Sequence, residues 1–448
     1  MKLGRLLIAV VALAGLSAGV YWANLREKAD ANKPPANAPP KILTLQQDKI
    51  NRIVFKRRDG ETTTVQKDDS GIWSITAPKP LGADQGVVGT VAVTLATLAS
   101  DRVVDPNVTD LAAYGLAPAA DELTLTMKDG KTYKLLVGDE TPTGNEVYAK
   151  LDGDPRLFTM AGSNKASLDK SVKDLRDKRL MTFEQDKVSR VELTSHPKAA
   201  AEDIEFGRVN QSEWQILKPK PMRADGFQVD NMVKRVSDAT MDTNASDEDL
   251  KKAAAAFAAA PALATVKVTS ASGTQTLEVR KSKDDYFAKS SVVDGIYKVP
   301  ADLGTGLNKS VDDFRNKKLF DFGFTEPTKI EIKDGGKTAD YERSDAKWSS
   351  GGKTMDNLSF QAFLDKLRDL VSTKFVDTGF TTPVLELNIV SYDGKRTEKV
   401  QIAPGSGGNF IARREGDTAL YEIDAKSIQD LRQAAGDIKE EPPPAKKK

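Results

Sequence analysis

Apolar and polar positions divide the chain into one long uncharged run followed by short strand-like and helix-like stretches. The run is Leu6 to Leu25, LLIAVVALAGLSAGVYWANL, without a single charge. As a helix it spans about 30 Å, the thickness of a bilayer's hydrocarbon core. Lys2 and Arg5 precede it, which favours a cytoplasmic N-terminus, and Tyr21 and Trp22 lie near the far end, where amphipathic rings suit the interface. Residues 1–25 are therefore expected to be a transmembrane anchor, with bilayer lipid as the partner of residues 6–25. A cleaved signal peptide is the competing reading, but its Ala29-Asp30-Ala31 site lies beyond Arg26, Glu27 and Lys28. Either way the remaining chain crosses the membrane. The expected location is the inner (cytoplasmic) membrane, single-pass, with the bulk of the chain periplasmic.

Beyond the run the period changes. Ile50 to Phe55, Thr62 to Gln66 and Trp73 to Thr76 read as short strands joined at Asp-Gly or Ser-Gly turns. Asp84 then precedes Val87, Val88, Val91, Leu95 and Leu98, which share one helical face. Phe360, Phe363, Leu364, Leu367 and Val371 do the same after Ser359. A second meander follows, turning at Asp129-Gly130 or Asp393-Gly394, and a helix from about Asn164 to Lys178 ends the first unit.

These patterns recur. WSITAPKPLGAD from Trp73 and WQILKPKPMRAD from Trp214 share Trp, Ile, Pro, Lys, Pro, Ala and Asp in register. QDKINRIVF from Gln47 matches QDKVSRVEL from Gln185, and a diverged third copy starts at Thr328, with its tryptophan at Trp348. Tyr114-Gly-Leu-Ala-Pro118, Phe257-Ala-Ala-Ala-Pro261 and Phe380-Thr-Thr-Pro383 each lead into an alternating strand. LRDKRLM at Leu175 and FRNKKLF at Phe314 close the first two copies. The expected fold is α+β: an N-terminal transmembrane helix followed by three tandem repeats of a β-meander-plus-helix domain. The boundaries fall at 1–25 for the anchor, 26–41 for a proline-rich linker, 42–181, 182–320 and 321–438 for the repeats, and 439–448 for a charged tail. Pro34-Pro35 and Pro39-Pro40 stiffen the linker toward polyproline II.

The signature residues Trp73, Pro78, Asp84, Tyr114, Pro118, Trp214, Pro219, Asp225, Pro261, Trp348 and Pro383 are expected to be structural. Tryptophan seals sheet against helix, aspartate caps that helix, and Pro-Lys-Pro keeps its segment out of a central ladder. The sharper reading is a ligand groove lined by tryptophan and aspartate in each unit; SSGGKTMD in the third copy would change its geometry.

The strand-hairpin opening, Gly71, Trp73, Ile75 and Pro78, the Ala83-Asp84 helix start and Tyr114, Gly115, Leu116 and Pro118 resemble a bacterial domain of unknown function. Its members are typically membrane-anchored and are often encoded beside gliding-motility-type ABC transporter components. The resemblance covers about Leu43 to Ile438 and implies an extracytoplasmic accessory protein with ABC-type permease or accessory subunits as partners. It supplies no catalytic residues.

Composition narrows the chemistry. Lys plus Arg number 66 against 65 Asp plus Glu, so no global field draws in nucleic acid. The sequence holds no cysteine and one histidine, His196, in a loop setting that reads as surface. Ser-x-x-Lys occurs at Ser167, Ser195, Ser344 and Ser350 without its supporting motifs. Gly351-Gly-Lys-Thr354 imitates a Walker A ending, but Lys347 stands at the upstream glycine position. Asp242, Asn244 and Ser246 imitate half a calcium loop, with Asp247 at the glycine position and Ala253 at the last ligand; the segment reads as a helix start. No catalytic, cofactor or metal residues are expected. The leading function is a noncatalytic envelope scaffold. The alternative is a periplasmic glycan- or peptide-binding protein or hydrolase using acidic residues in an inter-repeat cleft.

Overall fold

The computed structural model describes residues 40–197, 200–210 and 213–442. The expected anchor at 6–25, nearly all of the linker and the tail beyond 442 lie outside the described residues. Among the described residues, no helix is long and apolar enough to cross a membrane.

The ordered chain is mostly antiparallel sheet with several helices, and its three sheets fit three tandem repeats. The first comprises β1 (Ile50–Arg57), β2 (Thr62–Lys67), β3 (Trp73–Ala77), β4 (Leu81–Gly82), β5 (Arg102–Asp105), β6 (Asp121–Met127), β7 (Thr132–Glu140), β8 (Glu146–Leu151) and β9 (Leu157–Ala161). Its spatial order is β4-β3-β2-β1-β6-β7-β8-β9-β5. The second comprises β10 (Val188–Ser195), β11 (Glu202–Arg208), β12 (Trp214–Lys218), β13 (Met222–Arg223), β14 (Ala262–Ser270), β15 (Gly273–Ser282), β16 (Asp285–Ser290) and β17 (Ile296–Val299). The third comprises β18 (Lys329–Asp334), β19 (Lys337–Ser344), β20 (Lys347–Ser350), β21 (Lys353–Thr354), β22 (Lys374–Val376), β23 (Leu385–Ser391), β24 (Arg396–Pro404), β25 (Phe410–Arg414) and β26 (Leu420–Ile423). The third sheet repeats the order of the first, whereas the second, among the described residues, has no strand equivalent to β5 and β22.

The two meanders read from the sequence are one sheet. β1 pairs with β2 on one side and β6 on the other, and β10 and β18 do likewise with their equivalents. One face is apolar because the strands alternate: Ile53 and Phe55 of β1 and Leu123 and Leu125 of β6 are buried on it. A core helix packs there in each repeat: Gln85–Ala96, Gly226–Ser237 and Asn357–Arg368. The first buries Val88, Val91, Ala92, Leu95 and Ala96, an apolar stripe at helical spacing. Asp84, Asp225 and Asp356 cap these helices; Asp84 accepts from the N–H groups of Gly86 and Val87, Asp225 from Gln228 and Asp356 from Ser359.

Four sequence expectations change. The helix drawn over 164–178 is two short ones, Gly162–Leu168 and Val172–Leu175, because Ser171 and Asp174 form a capping box that starts a new turn. The apolar residues of LRDKRLM divide between two cores: Leu175 belongs to the first, Leu180 and Met181 to the second. Phe314 and the Leu319-Phe320 pair divide likewise, so the changeovers lie slightly ahead of positions 181 and 320. The first residues of the tail set apart at 439–448 belong to the third repeat: Glu440 bridges Met355, and the Glu441 N–H donates to the Thr354 carbonyl at 2.8 Å. Finally, compactness divides the chain only between Lys178 and Arg179, so the second and third repeats form a single unit.

Asp84→Ala is expected to lower unfolding free energy by about 1 kcal/mol, the usual cost of a lost N-cap, read by urea denaturation of the full chain.

Candidate functional site

The signature residues divide between opposite faces of each sheet. Trp73, Trp214 and Trp348 are buried on the helix side. The Gln85 side chain ties the Trp73 backbone, accepting from its N–H at 2.9 Å and donating to its carbonyl at 2.8 Å. Trp214 Nε1 donates to Asp230 at 2.8 Å under the Arg208 guanidinium, and Trp348 stacks on Phe360 with centroids 4.3 Å apart. Pro78 and Pro219 lie between the third and fourth strands of their sheets, so the Pro-Lys-Pro segment returns as an edge hairpin. Both follow cis peptide bonds, as does Pro118.

Tyr114 lies on the other face, edge-on to Tyr148 with centroids 4.9 Å apart. Gly115 beside it has φ +66°, and a Cβ there would run into the Asp139 carboxylate. Pro261 follows the end of helix Asp247–Ala259, and Pro383 precedes β23. The structure therefore does not gather these residues into one site, and tryptophan and aspartate line no shared groove with Tyr114.

The face opposite the core helix differs from repeat to repeat. In the first, Tyr114 covers Tyr148. In the second, helix Asp247–Ala259 lays Ala253 and Phe257 on Phe287, and Arg280 stacks at 4.5 Å on Phe257 while donating to the carbonyls of Phe257 and Ala260. In the third, Phe380 lies under Arg413 at 4.5 Å, and beside it opens a cavity of about 500 Å³. Glu331, Lys333, Glu386, Asn388, Lys399 and Glu415 line it. Lys333 pairs with Glu331 at 2.9 Å and Lys399 with Glu415 at 3.1 Å. Hydrogen bonding to Lys333, then to Asn388, holds the Glu331 carboxyl below its ordinary range.

Asp417 and Arg414, at the rim of this cavity, belong to a charged cluster that also binds the second repeat to the third. Arg223 on β13 reaches Asp321 at 2.9 Å and Asp417 at 3.7 Å, and donates to the Lys318 carbonyl. Arg414 is 3.3 Å from Asp321 and pairs with the buried Glu398. Glu398 also accepts the Asp321 N–H at 2.9 Å. Arg396 donates to Glu213 of the second repeat at 2.8 Å. Burial alone would lower the Arg396 pKa, but Glu213, Glu398 and Asp321 raise it above its ordinary value. Tyr421 lies fully buried beneath the cluster and donates to Asp417; burial chiefly, with that hydrogen bond, pushes its phenol up to about 12.

The cluster escaped sequence reasoning, although repeat alignment carries a signal. At the same places the second repeat has Thr182, Gln275 and Ser290, where the Thr182 N–H donates to Gln275 at 2.8 Å. The third substitutes Asp321, Glu398 and Arg414. A neutral hydrogen-bonded set has become an ionic one that reaches a neighbouring repeat.

The remaining candidates fall into place separately. His196 is half-buried rather than surface-exposed: its main-chain N–H donates to Asn308 Oδ1 at 2.9 Å, and Nδ1 donates to the Leu263 carbonyl at 3.2 Å. Gly351 and Gly352, both at positive φ, form the hairpin turn between β20 and β21. Asp242 accepts from the Asn244 N–H, and Ser246 caps helix Asp247–Ala259.

Arg223→Met is expected to destabilise the 179–448 unit by roughly 3 kcal/mol, because Asp321 and Asp417 lose a cation in a largely desolvated setting; chemical denaturation reads the change. A pH test addresses Tyr421. An unfolded phenol ionises near 10 and the buried one near 12, so its contribution to stability is whole below pH 10 and is lost as pH climbs toward 12. Tyr421→Phe should therefore remove part of the alkaline fall in stability.

No curated protein and no solved structure matches the chain. A family model matches twice, over residues 73–213 and 214–389, each window opening on a repeat tryptophan; the first runs through the first two strands of the second sheet and the second reaches into β23 of the third. Those windows cover more than half of the sequence, and the chain belongs to the family described as Domain of unknown function (DUF4340).

Proposed function

We propose that this protein is a membrane-anchored, extracytoplasmic accessory or scaffold protein of an ABC-transporter-type envelope complex, without catalytic activity of its own. The observation that carries the scaffold reading is one frame used three times with three different faces opposite the core helix: Tyr114 on Tyr148, a helix on Phe287, and a charged cavity beside Phe380. Three unlike surfaces on one chain suit simultaneous engagement of several partners, where linkage raises the effective concentration of each contact. The uncharged run Leu6 to Leu25 supports the anchor, and the flanking Lys2 and Arg5 support the orientation. The ABC-type partner, a permease or accessory subunit, rests on the gliding-motility-like resemblance of the repeat signature.

The alternative reading, a glycan or peptide hydrolase with acidic residues between repeats, has less support. Where the second and third repeats meet, Asp321, Asp417 and Glu398 are engaged by Arg223 and Arg414. Ion pairs with arginine engage the carboxylates that such a hydrolase would have to turn toward its substrate.

Two measurements test the proposal. Cross-linking and purification of the full-length protein from detergent-solubilised membranes should recover ABC-type permease or accessory subunits; recovery of the protein alone would count against the scaffold. A reporter fused after Lys448 should be active only outside the cytoplasm, and cytoplasmic activity would overturn the orientation.

A further inference from the structure

Among the described residues the second sheet has no ninth strand, and a groove lies against β17, the strand with which a ninth would pair. In the first and third repeats the segment after the core helix becomes β5 or β22 and pairs antiparallel with the last strand of its sheet. The Thr159 carbonyl of β9 accepts from the Asp101 N–H at 2.9 Å, and the Glu422 carbonyl of β26 accepts from Thr373 at 2.8 Å. The same stretch of the second repeat turns away after Met241, where Asp242 and Ser246 organise a turn and then helix Asp247–Ala259. β17 (Ile296–Val299) therefore pairs with β16 on one side, and among the described residues no strand pairs with its other side.

A cavity of about 490 Å³ lies against this strand. Leu250, Ala253 and Ala256 of the helix and Phe287, Ile296 and Tyr297 of the sheet give it apolar walls, with Lys298 at the rim. Two features say what fits. Tyr297 holds the position of Tyr421, on which Phe375 of β22 packs edge-on with centroids 5.3 Å apart. Lys298, which pairs across the hairpin with Asp285 at 2.7 Å and would exchange that partner on binding, holds the position of Glu422, which Lys374 of β22 meets at 3.3 Å.

We propose that β17 accepts an extended segment of a partner protein as an added antiparallel strand. That strand carries an aromatic or large apolar residue over Tyr297 and, one position before it, a carboxylate facing Lys298. Main-chain hydrogen bonds would supply affinity and the side-chain positions specificity, as in other strand additions. The competing account is that Lys298 merely guards an exposed edge, a common use of lysine. The proposal is independent of whether the partner belongs to an ABC-type machine.

The probes are two synthetic peptides with the chain's own ninth-strand sequence, Ser372 to Gly379: STKFVDTG, and the same peptide with Lys374→Glu. They are titrated into the detergent-solubilised full-length protein, with hydrogen exchange followed at β17. Saturable binding is expected, tighter for the glutamate peptide, with slowed exchange at Lys298. Lys298 corresponds to Thr159 and Glu422, whose main chains face the added strand, so Lys298→Pro removes an outward N–H and spares the ladder with β16. It should abolish binding while leaving the circular dichroism unchanged. Ile296→Ala, which trims the groove without touching the main chain, should weaken binding and serves should the proline variant misfold. Absence of binding by both peptides, or binding that survives both substitutions without protection at Lys298, would overturn the proposal.

Discussion

Each repeat depends on a clasp at the two ends of its core helix. The chain leaving a repeat passes the start of that helix and bonds to it: the N–H groups of Asp84, Asp225 and Asp356 donate to the carbonyls of Leu175, Phe314 and Lys439 at 2.8, 2.7 and 2.7 Å. The chain entering a repeat bonds just beyond the helix's other end, where the N–H groups of Ile42, Leu180 and Leu319 donate to Leu98, Ala239 and Leu370 at 2.9, 2.8 and 3.0 Å. The capping aspartate is thus used twice, its side chain satisfying the helix N–H groups and its main chain holding the exit segment. The apolar residues beside these bonds, such as Leu175 and Leu180, then enter the cores.

This arrangement explains what was legible in the sequence. Strand alternation in Ile50 to Phe55, the helical stripe from Val87 and the Trp-to-Asp signature all report local burial, which one sequence displays directly. The pairing of β1 with β6 is not local. It joins residues about seventy positions apart, and nothing in either strand names the other. The LRDKRLM motif misled for a related reason: it reads as a closing phrase, although its leucines belong to different cores. Residues of the charged cluster were invisible singly, because Arg223 and Asp321 acquire meaning only when the second and third repeats meet.

Divergence has been uneven across the frame. The helix side of each sheet keeps its tryptophan, its cap and its apolar stripe, because a packed interior tolerates few changes of volume. The opposite side has taken a tyrosine, a helix and a polar cavity in turn. It is the side on which surface chemistry can vary without disturbing the fold. The contact between the second and third repeats also belongs to the variable part. It exists because neutral residues at Thr182, Gln275 and Ser290 have charged counterparts at Asp321, Glu398 and Arg414.

The clasp also sets the spacing at each junction between repeats. After the first exit donor, Asp177, the next entry donor is Leu180; after Asn316 it is Leu319, the same spacing. After Glu441, the last exit donor, that position is Pro444, preceded by Pro442 and Pro443. Proline has no N–H, so the hydrogen bond that begins a repeat has no donor there. The junction between repeats is therefore a matter of register as well as of sequence, because an entry bond needs an N–H three residues after the exit donor.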